Sequence, residues 1–541
     1  MKPTILVLVL AFLLGLNANA QTFTQLSQMT NGNNNENHMV IDRFGNTYIT
    51  FTYNDMLLVD GLDFYAGDYW TSILLKFNAD GSLIWGYSFT GSNAVTIESI
   101  ALDKGDGVVV AGSFFDTLYL GGNEIVSNGS DDGILVGFSA EGNIRYYHTF
   151  GSNLSDGAAA VCMDKAGNKF VIGQAHNPVT IDGETITPVA DQYASFIIKY
   201  NKLGVPVDVI PLNNTTTINN STINVDNKGN VIISGSFYNE LVVFGQDLSN
   251  SAANFFVAKL TPAMELAWTN VFPIGGFTLL RDVKLDKAGN PYLLFLIDTL
   301  TIDGNTFYNS NIDESFFESV LCKINKNTGL AKWANKINSY THANAYELAI
   351  NNLQNIAVVG TFKDYINYGT MELTNVGTDL WDGFVLMVDP DGNALNLFDL
   401  GDDTHYDELW NVAFDNNSDL HLYGTSSDGM QIGDFTVESA AFNTYWLTTI
   451  DFGTYKSATP NSTAEFSINP NPASDQVTLT FAHVTENPSV LQIFDLTGRI
   501  VYTTTVNAID NDAIQINVSN LCAGTYIVQY NNQQQQLMLT K

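Results

Sequence analysis

Nine consecutive residues, Asp402-Asp403-Thr404-His405-Tyr406-Asp407-Glu408-Leu409-Trp410, hold the densest group of ligating side chains in the sequence. Four carboxylates and one imidazole, standing with two aromatic rings, are donors that suit Ca²⁺ or Zn²⁺, the rings aside. The same mixture suits a sugar, with carboxylates on the hydroxyls and a ring beneath the apolar face. A solvated acidic loop accounts for these residues equally, since the chain carries 22 basic against 56 acidic residues, a net charge of −34. The binding candidates are therefore Asp402, Asp403, His405, Tyr406, Asp407, Glu408 and Trp410, with the metal unassigned.

No catalytic residue is assigned. The seven histidines (38, 148, 176, 342, 405, 421 and 483) are dispersed. There is no His-Glu-x-x-His, Gly-x-Ser-x-Gly, phosphate loop or Cys-x-x-Cys. Carboxylates converging from distant parts of the chain would leave no local motif. Asp389-Pro390-Asp391-Gly392-Asn393 comes nearest to a calcium loop, but no Glu follows at the spacing an EF-hand needs. A side-chain-capped turn explains it adequately. No cofactor is required by the sequence, and calcium is the ion its acidic turns and loop would suit. Cys162 and Cys322 lie in apolar runs and read as buried thiols. With Cys522 they make an odd, sparse set and no disulfide framework.

The elements that position these residues come from a repeat. An alternating strand, Asp-x-x-Gly-Asn and a second strand recur at Asp42, Asp103, Asp164, Asp226, Asp286, Asn351 and Asp415. The spacings are 61, 61, 62, 60, 65 and 64 residues. Each period holds four strand signals, in the second copy 99–103, 108–114, 134–139 and 143–150. Positions one and three before the repeated Asp are apolar and the one between varies, as in Ile100, Ala101 and Leu102. The fourth strand often carries an aromatic residue: Trp85, Tyr146, Trp268, Trp333, Phe398. Seven copies of four antiparallel strands predict an all-β fold, a seven-bladed β-propeller over residues 21–455. The seventh copy lacks a fourth strand, and residues 22–29 supply an orphan one, so an N-terminal strand is expected to close the last blade.

Four residues before each repeated Asp or Asn stand His38, Ser99, Ala160, Thr222, Asp282, Glu347 and Asn411. No residue type repeats there, which argues against a symmetric ring of ligands. Connections after strands two and four look longer and less alike than the other turns, so function is expected on their face. The repeat resembles the bacterial β-propeller repeat family, most clearly over residues 131–173. That resemblance implies the fold and no activity.

The two ends differ from the middle. Residues 1–20 run from Lys2 through an apolar stretch to Asn17-Ala18-Asn19-Ala20, the pattern of a cleaved signal peptide. No later apolar run is long enough to span a bilayer. Residues 456–464, KSATPNSTA, read as a linker. Over residues 465–541 three motifs stand in order. Pro470, Asn471 and Pro472 fix an extended lead into a strand. Asp495, Gly498 and Arg499 belong to a tight hairpin turn. Leu521, Gly524 and Tyr526 open another strand. Together they resemble the C-terminal sorting domain (type A) of type IX secretion, a small Ig-like β-sandwich of exported proteins in Gram-negative gliding and periodontal bacteria. The resemblance implies passage through the periplasm and recognition by the secretion machinery. It further implies removal of the tail by a sortase, then release or attachment at the cell surface.

With few basic residues and no basic cluster, nucleic acid is not the expected partner. The expected function is a secreted or surface-displayed binding module for a glycan or a protein. A polysaccharide hydrolase or lyase over the propeller channel is the alternative, and a structural surface or matrix protein a third. A convergent carboxylate pair in a deep cleft would favour the enzyme. Exposed aromatics would favour binding. Asp116-Thr117-Leu118 and Asp298-Thr299-Leu300 match an O-glycosylation sequence that also arises by chance in an Asp- and Thr-rich chain.

Overall fold

The computed structural model describes residues 22–30, 35–103, 105–189, 193–213, 218–249, 252–310, 317–339, 341–374, 381–400, 406–426, 430–432, 435–437, 444–451, 466–469, 473–481, 489–495, 500–506, 513–521, 524–530 and 533–540. Residues 1–20 and 456–464, together with Asp402, Asp403, His405, Pro470, Asn471, Pro472, Gly498 and Arg499, lie outside them. The described secondary structure is entirely β. Among the described residues no helix is long and apolar enough to cross a membrane. The chain divides into two compact bodies, residues 1–453 and 454–541.

Within the first body, antiparallel pairing organises the chain into seven four-stranded meanders. Their first strands are Asn35–Ile41, Val95–Leu102, Asp156–Met163, Asn219–Val225, Leu279–Leu285, His342–Ile350 and Asp407–Phe414. These strands touch in a cycle, each meeting the next and the seventh meeting the first. The seventh meander draws its fourth strand from the other end of the chain. Thr22–Thr30 lies antiparallel to Thr444–Asp451 in seven register pairs, from Thr22 opposite Asp451 to Met29 opposite Tyr445. Ser27 Oγ then donates to the carbonyl of Gly81 in the first meander. That strand therefore ties meanders seven and one together.

Each sequence repeat builds a turn and a contact with its neighbour. Asp42 Oδ1 accepts the N–H groups of Phe44 (2.9 Å) and Asn46 (3.0 Å), while Oδ2 accepts Asn46 Nδ2 at 2.8 Å. Asp226 and Asn230 repeat the arrangement, as do Asp389 and Asn393. The carboxylates thus serve as turn caps. The fourth-strand tryptophans reach across: Trp85, Trp268 and Trp333 donate Nε1–H to Ala140, Lys326 and Pro390 carbonyls in the next meander.

The connection between second and third strands departs from expectation. It is a second repeat, not a variable loop. Each meander carries a short hairpin there, as at Val179–Ile181 with Glu184–Ile186 and at Thr299–Ile302 with Asn305–Tyr308. Leu57, Leu118, Val179, Leu241, Leu300, Ile366 and Met430 form its buried anchor, all at most 3% exposed. Asp182-Gly183 turns one of these hairpins with φ of 49° and 84°, the double left-handed geometry that Asp-Gly favours. The first hairpin strand pairs with the preceding meander, Ile274 with Leu300 and Asn338 with Asn367. Asp116-Thr117-Leu118 and Asp298-Thr299-Leu300 are therefore leads into this hairpin, with Leu118 and Leu300 fully buried.

Buried His421 stands at the junction of meanders seven and one, its Nδ1 at 3.3 Å from Thr47 Oγ1 and 3.2 Å from Thr449 Oγ1. Burial lowers its pKa to about 4, against the upward pull of Asp415. The unfolded chain takes up this proton first, so stability is lost as pH falls from about 6.5 towards 4. Between pH 7 and pH 5 the loss is expected to be about 2 kcal/mol. Asp132 and Asp156, raised by burial, act in the opposite direction near the acid end. The His421 contribution is therefore read as the difference in pH dependence between wild type and His421→Gln, in urea titrations. Parallel curves for the two proteins would remove it.

The second body holds two sheets. One orders Phe466–Asn469, Gln476–Phe481 and Ala513–Asn517; the other orders Ile500–Val506, Ser489–Asp495, Gly524–Tyr530 and Gln533–Leu539. Val477, Leu479, Leu491, Ile493, Tyr526 and Val528 share one buried core. Asp495 ends one strand, Leu521 is half-buried beside the core and Gly524 begins the strand that carries Tyr526.

Candidate functional site

The first strands of all seven meanders line one cavity of 670 Å³. Every one of these strands is irregular at the same place, two consecutive register pairs being interrupted just before His38, Ser99, Ala160, Thr222, Asp282, Glu347 and Asn411. A bulge of this kind re-aims a side chain. Strict alternation would turn Arg281, Tyr346 and Trp410 away from Asp282, Glu347 and Asn411. With the bulges, both sets line the cavity.

Three consecutive bulged positions form a ladder. The Arg281 guanidinium lies 4.9 Å from the centre of the Tyr346 ring. Tyr346 stacks on Trp410 with ring centroids 4.6 Å apart and an interplanar angle of 22°. Thr361 and Thr425 hold the far edges, Tyr346 Oη lying 3.0 Å from Thr361 Oγ1 and Trp410 Nε1 donating to Thr425 Oγ1 at 3.2 Å. Burial lowers the Arg281 pKa and raises that of Tyr346.

Beside the ladder sits a charge cluster. Lys284 Nζ is 3.0 Å from Asp282 Oδ2 and 3.1 Å from Glu347 Oε1. Asp282 Oδ2 accepts Leu348 N–H at 3.0 Å. Glu347 Oε2 accepts Asn411 Nδ2 at 2.8 Å and Val412 N–H at 3.1 Å. Each carboxylate thus reaches the backbone of the following meander. Ser99 Oγ does the same for Val161 N–H at 3.1 Å. At Ser99, Asp282 and Glu347 the position four before the turn is therefore a clasp between neighbours. Burial opposes the Lys284 charge, but Asp282 and Glu347 outweigh it and hold the ammonium above its ordinary pKa. Burial raises Glu347 against the pull of Lys284. His38, across the cavity, is lowered to about 4 by burial and then by Lys284, opposed by Asp282.

Of the acidic loop singled out from the sequence, the described residues Tyr406, Asp407, Glu408 and Trp410 have different surroundings. Tyr406 is exposed, with its ring 5.6 Å from that of Trp381. Asp407 is fully buried and its N–H donates to the Trp381 carbonyl at 2.9 Å. Glu408, raised by burial, lies 3.4 Å from Thr425 Oγ1. Of the four described candidates only Trp410 lines the cavity. Among the described residues no three His, Cys, Asp or Glu side chains could hold a metal ion together. Cys322 is buried and Cys162 half-buried, and burial raises both thiols. A second cavity of 470 Å³ lies among Thr185, Ile186, Leu212, Val242 and Phe244 and is lined by no ionisable side chain.

Residues 467–541 match the family described as the secretion system C-terminal sorting domain. No curated protein matches the chain. Solved structures similar to it include a protein of unknown function from Bacteroides caccae, at 12% identity and TM-score 0.31, covering 60% of this chain and 89% of that one. Hydrazine synthase of Kuenenia stuttgartiensis is similar at 9% identity and TM-score 0.37, covering 74% and 95%. A quinohemoprotein alcohol dehydrogenase of Pseudomonas putida HK5 is similar at 9% identity and TM-score 0.37, covering 84% and 79%. The described residues of the tail agree with the family match: Asp495, Gly524 and Tyr526 stand on strands of a two-sheet body with its own core. Residues 467–541 are a type IX secretion C-terminal sorting domain, which marks the chain for export to the cell surface or for secretion.

Proposed function

We propose that the protein is a secreted or surface-displayed seven-bladed β-propeller that binds a glycan in its central cavity without transforming it, and that an Ig-like β-sandwich tail carries it through type IX secretion. The observation that carries the binding reading is the Tyr346–Trp410 stack inside a cavity lined by all seven first strands. Cavities of roughly 300–1,000 Å³ are usual for small-ligand sites. The cavity-lining edges of two aromatic rings, beside hydroxyl and amide groups, suit the mixed apolar and polar surface of a sugar.

The convergent carboxylates speak against the hydrolase reading. Glycoside hydrolysis needs one carboxyl group free to give a proton and another free to attack or to activate water. Asp282 and Glu347 instead accept backbone N–H groups of the next blade and share one ammonium. Their oxygens hold the ring together.

The test is a glycan and polysaccharide array probed with the full secreted chain, with calcium and with chelator, and with the eluates analysed for cleaved products. Selective retention without products is the expected result, unchanged by chelator. Products at a rate that falls in Glu347→Gln would establish the enzyme in place of the binding module. No retention on any surface would move the assignment to a protein ligand or a structural role.

A further inference from the structure

We infer that the glycan bound in the cavity is anionic, its carboxylate being received by the Arg281 guanidinium while its sugar ring lies against the cavity-lining edges of Tyr346 and Trp410. This rests on the binding reading above and goes further, because it names the charge of the ligand.

Arg281 is out of place unless something anionic meets it. The buried lysines Lys76, Lys169, Lys259 and Lys323 each lie within 3.9 Å of a carboxylate oxygen. The cavity itself contains Asp282, adjacent in sequence, and Glu347, yet both are spent on Lys284. Among the described residues, Arg281 has no ion-pair or hydrogen-bond partner, only the face of Tyr346 at 4.9 Å. Stacking fixes the guanidinium plane and leaves its N–H fork unfilled. Partial burial makes an oxyanion partner favourable there, since stripping water from a charge is unfavourable without one.

The fork determines the ligand chemistry. A guanidinium presents parallel N–H donors that match two oxygens of a carboxylate. Lys284, outnumbered by its two carboxylates, supplies no competing attraction. Glu98 lines the same cavity from the second meander, three places around the cycle from Arg281, and so leaves the Arg281 side open to an anion. The aromatic ladder continues directly from the guanidinium, so an acid group attached to a pyranose ring meets both parts at once. The bulges create this arrangement on three consecutive strands, Leu279–Leu285, His342–Ile350 and Asp407–Phe414. The asymmetry of the ring, which argues against a symmetric set of ligands, is what builds a one-sided site.

The probes are uronate tetrasaccharides (galacturonate, glucuronate, mannuronate and guluronate), each with its carboxyl-reduced counterpart, plus a sulfated tetrasaccharide. Binding to the full secreted chain is measured by calorimetry, with Arg281→Gln and Arg281→Lys alongside. At least one uronate is expected to bind, its reduced counterpart at least about tenfold more weakly. Arg281→Gln is expected to lose about 10- to 100-fold, the range of a charge-assisted hydrogen-bonded pair, and Arg281→Lys less. If Arg281→Gln fails to fold, the Arg281→Lys value against wild type decides. Stronger binding of the sulfated probe overturns the carboxylate assignment. Equal binding of acid and reduced sugars, or unaltered binding by the variants, overturns the inference and leaves the glycan reading standing. Binding of none of the probes overturns the inference; the array result then decides the glycan reading.

Discussion

A secreted chain lacking Thr22–Thr30 is expected to lose cooperative folding of the whole first body. The cost is expected to be on the order of 5 kcal/mol or more, comparable with the total stability of many domains. Seven register pairs to Thr444–Asp451 disappear, and with them the pairing of Met29 with Val59 in the first meander. Fully buried Trp446 loses the cover of the missing strand, and the core loses the fully buried Met29 side chain itself. The strand 444–451 becomes an open edge, which invites association with other chains. Calorimetry and light scattering are the measurements. A broad, early transition with aggregation is expected, together with recovery when a peptide of residues 21–31 is added. A truncated chain that unfolds as sharply and as late as wild type would show that the ring does not depend on this clasp.

The second large effect concerns Lys284. Replacement by Met leaves Asp282 and Glu347, each 13% exposed, as neighbouring carboxylates without their shared cation. Breaking a fully buried pair costs roughly 3–5 kcal/mol. Because the Lys284 side chain keeps 38% of its exposure, water screens part of the loss, and about 2–4 kcal/mol is expected. The triple variant Asp282→Asn, Lys284→Met, Glu347→Gln should recover most of it, since the amides still accept the N–H groups of Leu348 and Val412. Urea denaturation of the three proteins is the check. Lys284→Met at wild-type stability would contradict the clasp, as would a triple variant no better than the single one.

Much of this was legible in the sequence because a turn repeats. The aspartates at 42, 164, 226 and 286, with their Gly and Asn partners, set the period and the strand before each turn. The same period aligned His38, Ser99, Ala160, Thr222, Asp282, Glu347 and Asn411, all of which line the cavity. The column proposed to receive ligand was missed by one residue. Alternation assigns Arg281, Tyr346 and Trp410 to the opposite face, and only the bulges bring them round. A bulge leaves no mark in a period-two pattern, since it comes from how the backbone pairs with its neighbour. The hairpins between second and third strands were missed for another reason. Their anchors, such as Leu118, Val179 and Leu241, are single apolar residues in connections of unequal length. The acidic loop drew attention by its density of carboxylates, yet Asp407 is buried beside Trp381 and, among its described residues, Trp410 alone reaches the cavity. Nearness along the chain says little about nearness in space where successive strand residues point opposite ways.

The central claim is that ligand binds at the ladder inside the ring. Fluorine NMR of the 5-fluorotryptophan protein tests it most directly, because the chain has seven tryptophans and Trp410 can be identified by the Trp410→Phe variant. On titration with a retained glycan, the Trp410 resonance is expected to shift while that of buried Trp446 stays in place. A shift at half-exposed Trp70 or at Trp381, with Trp410 unmoved, would place the ligand outside the cavity and contradict the account.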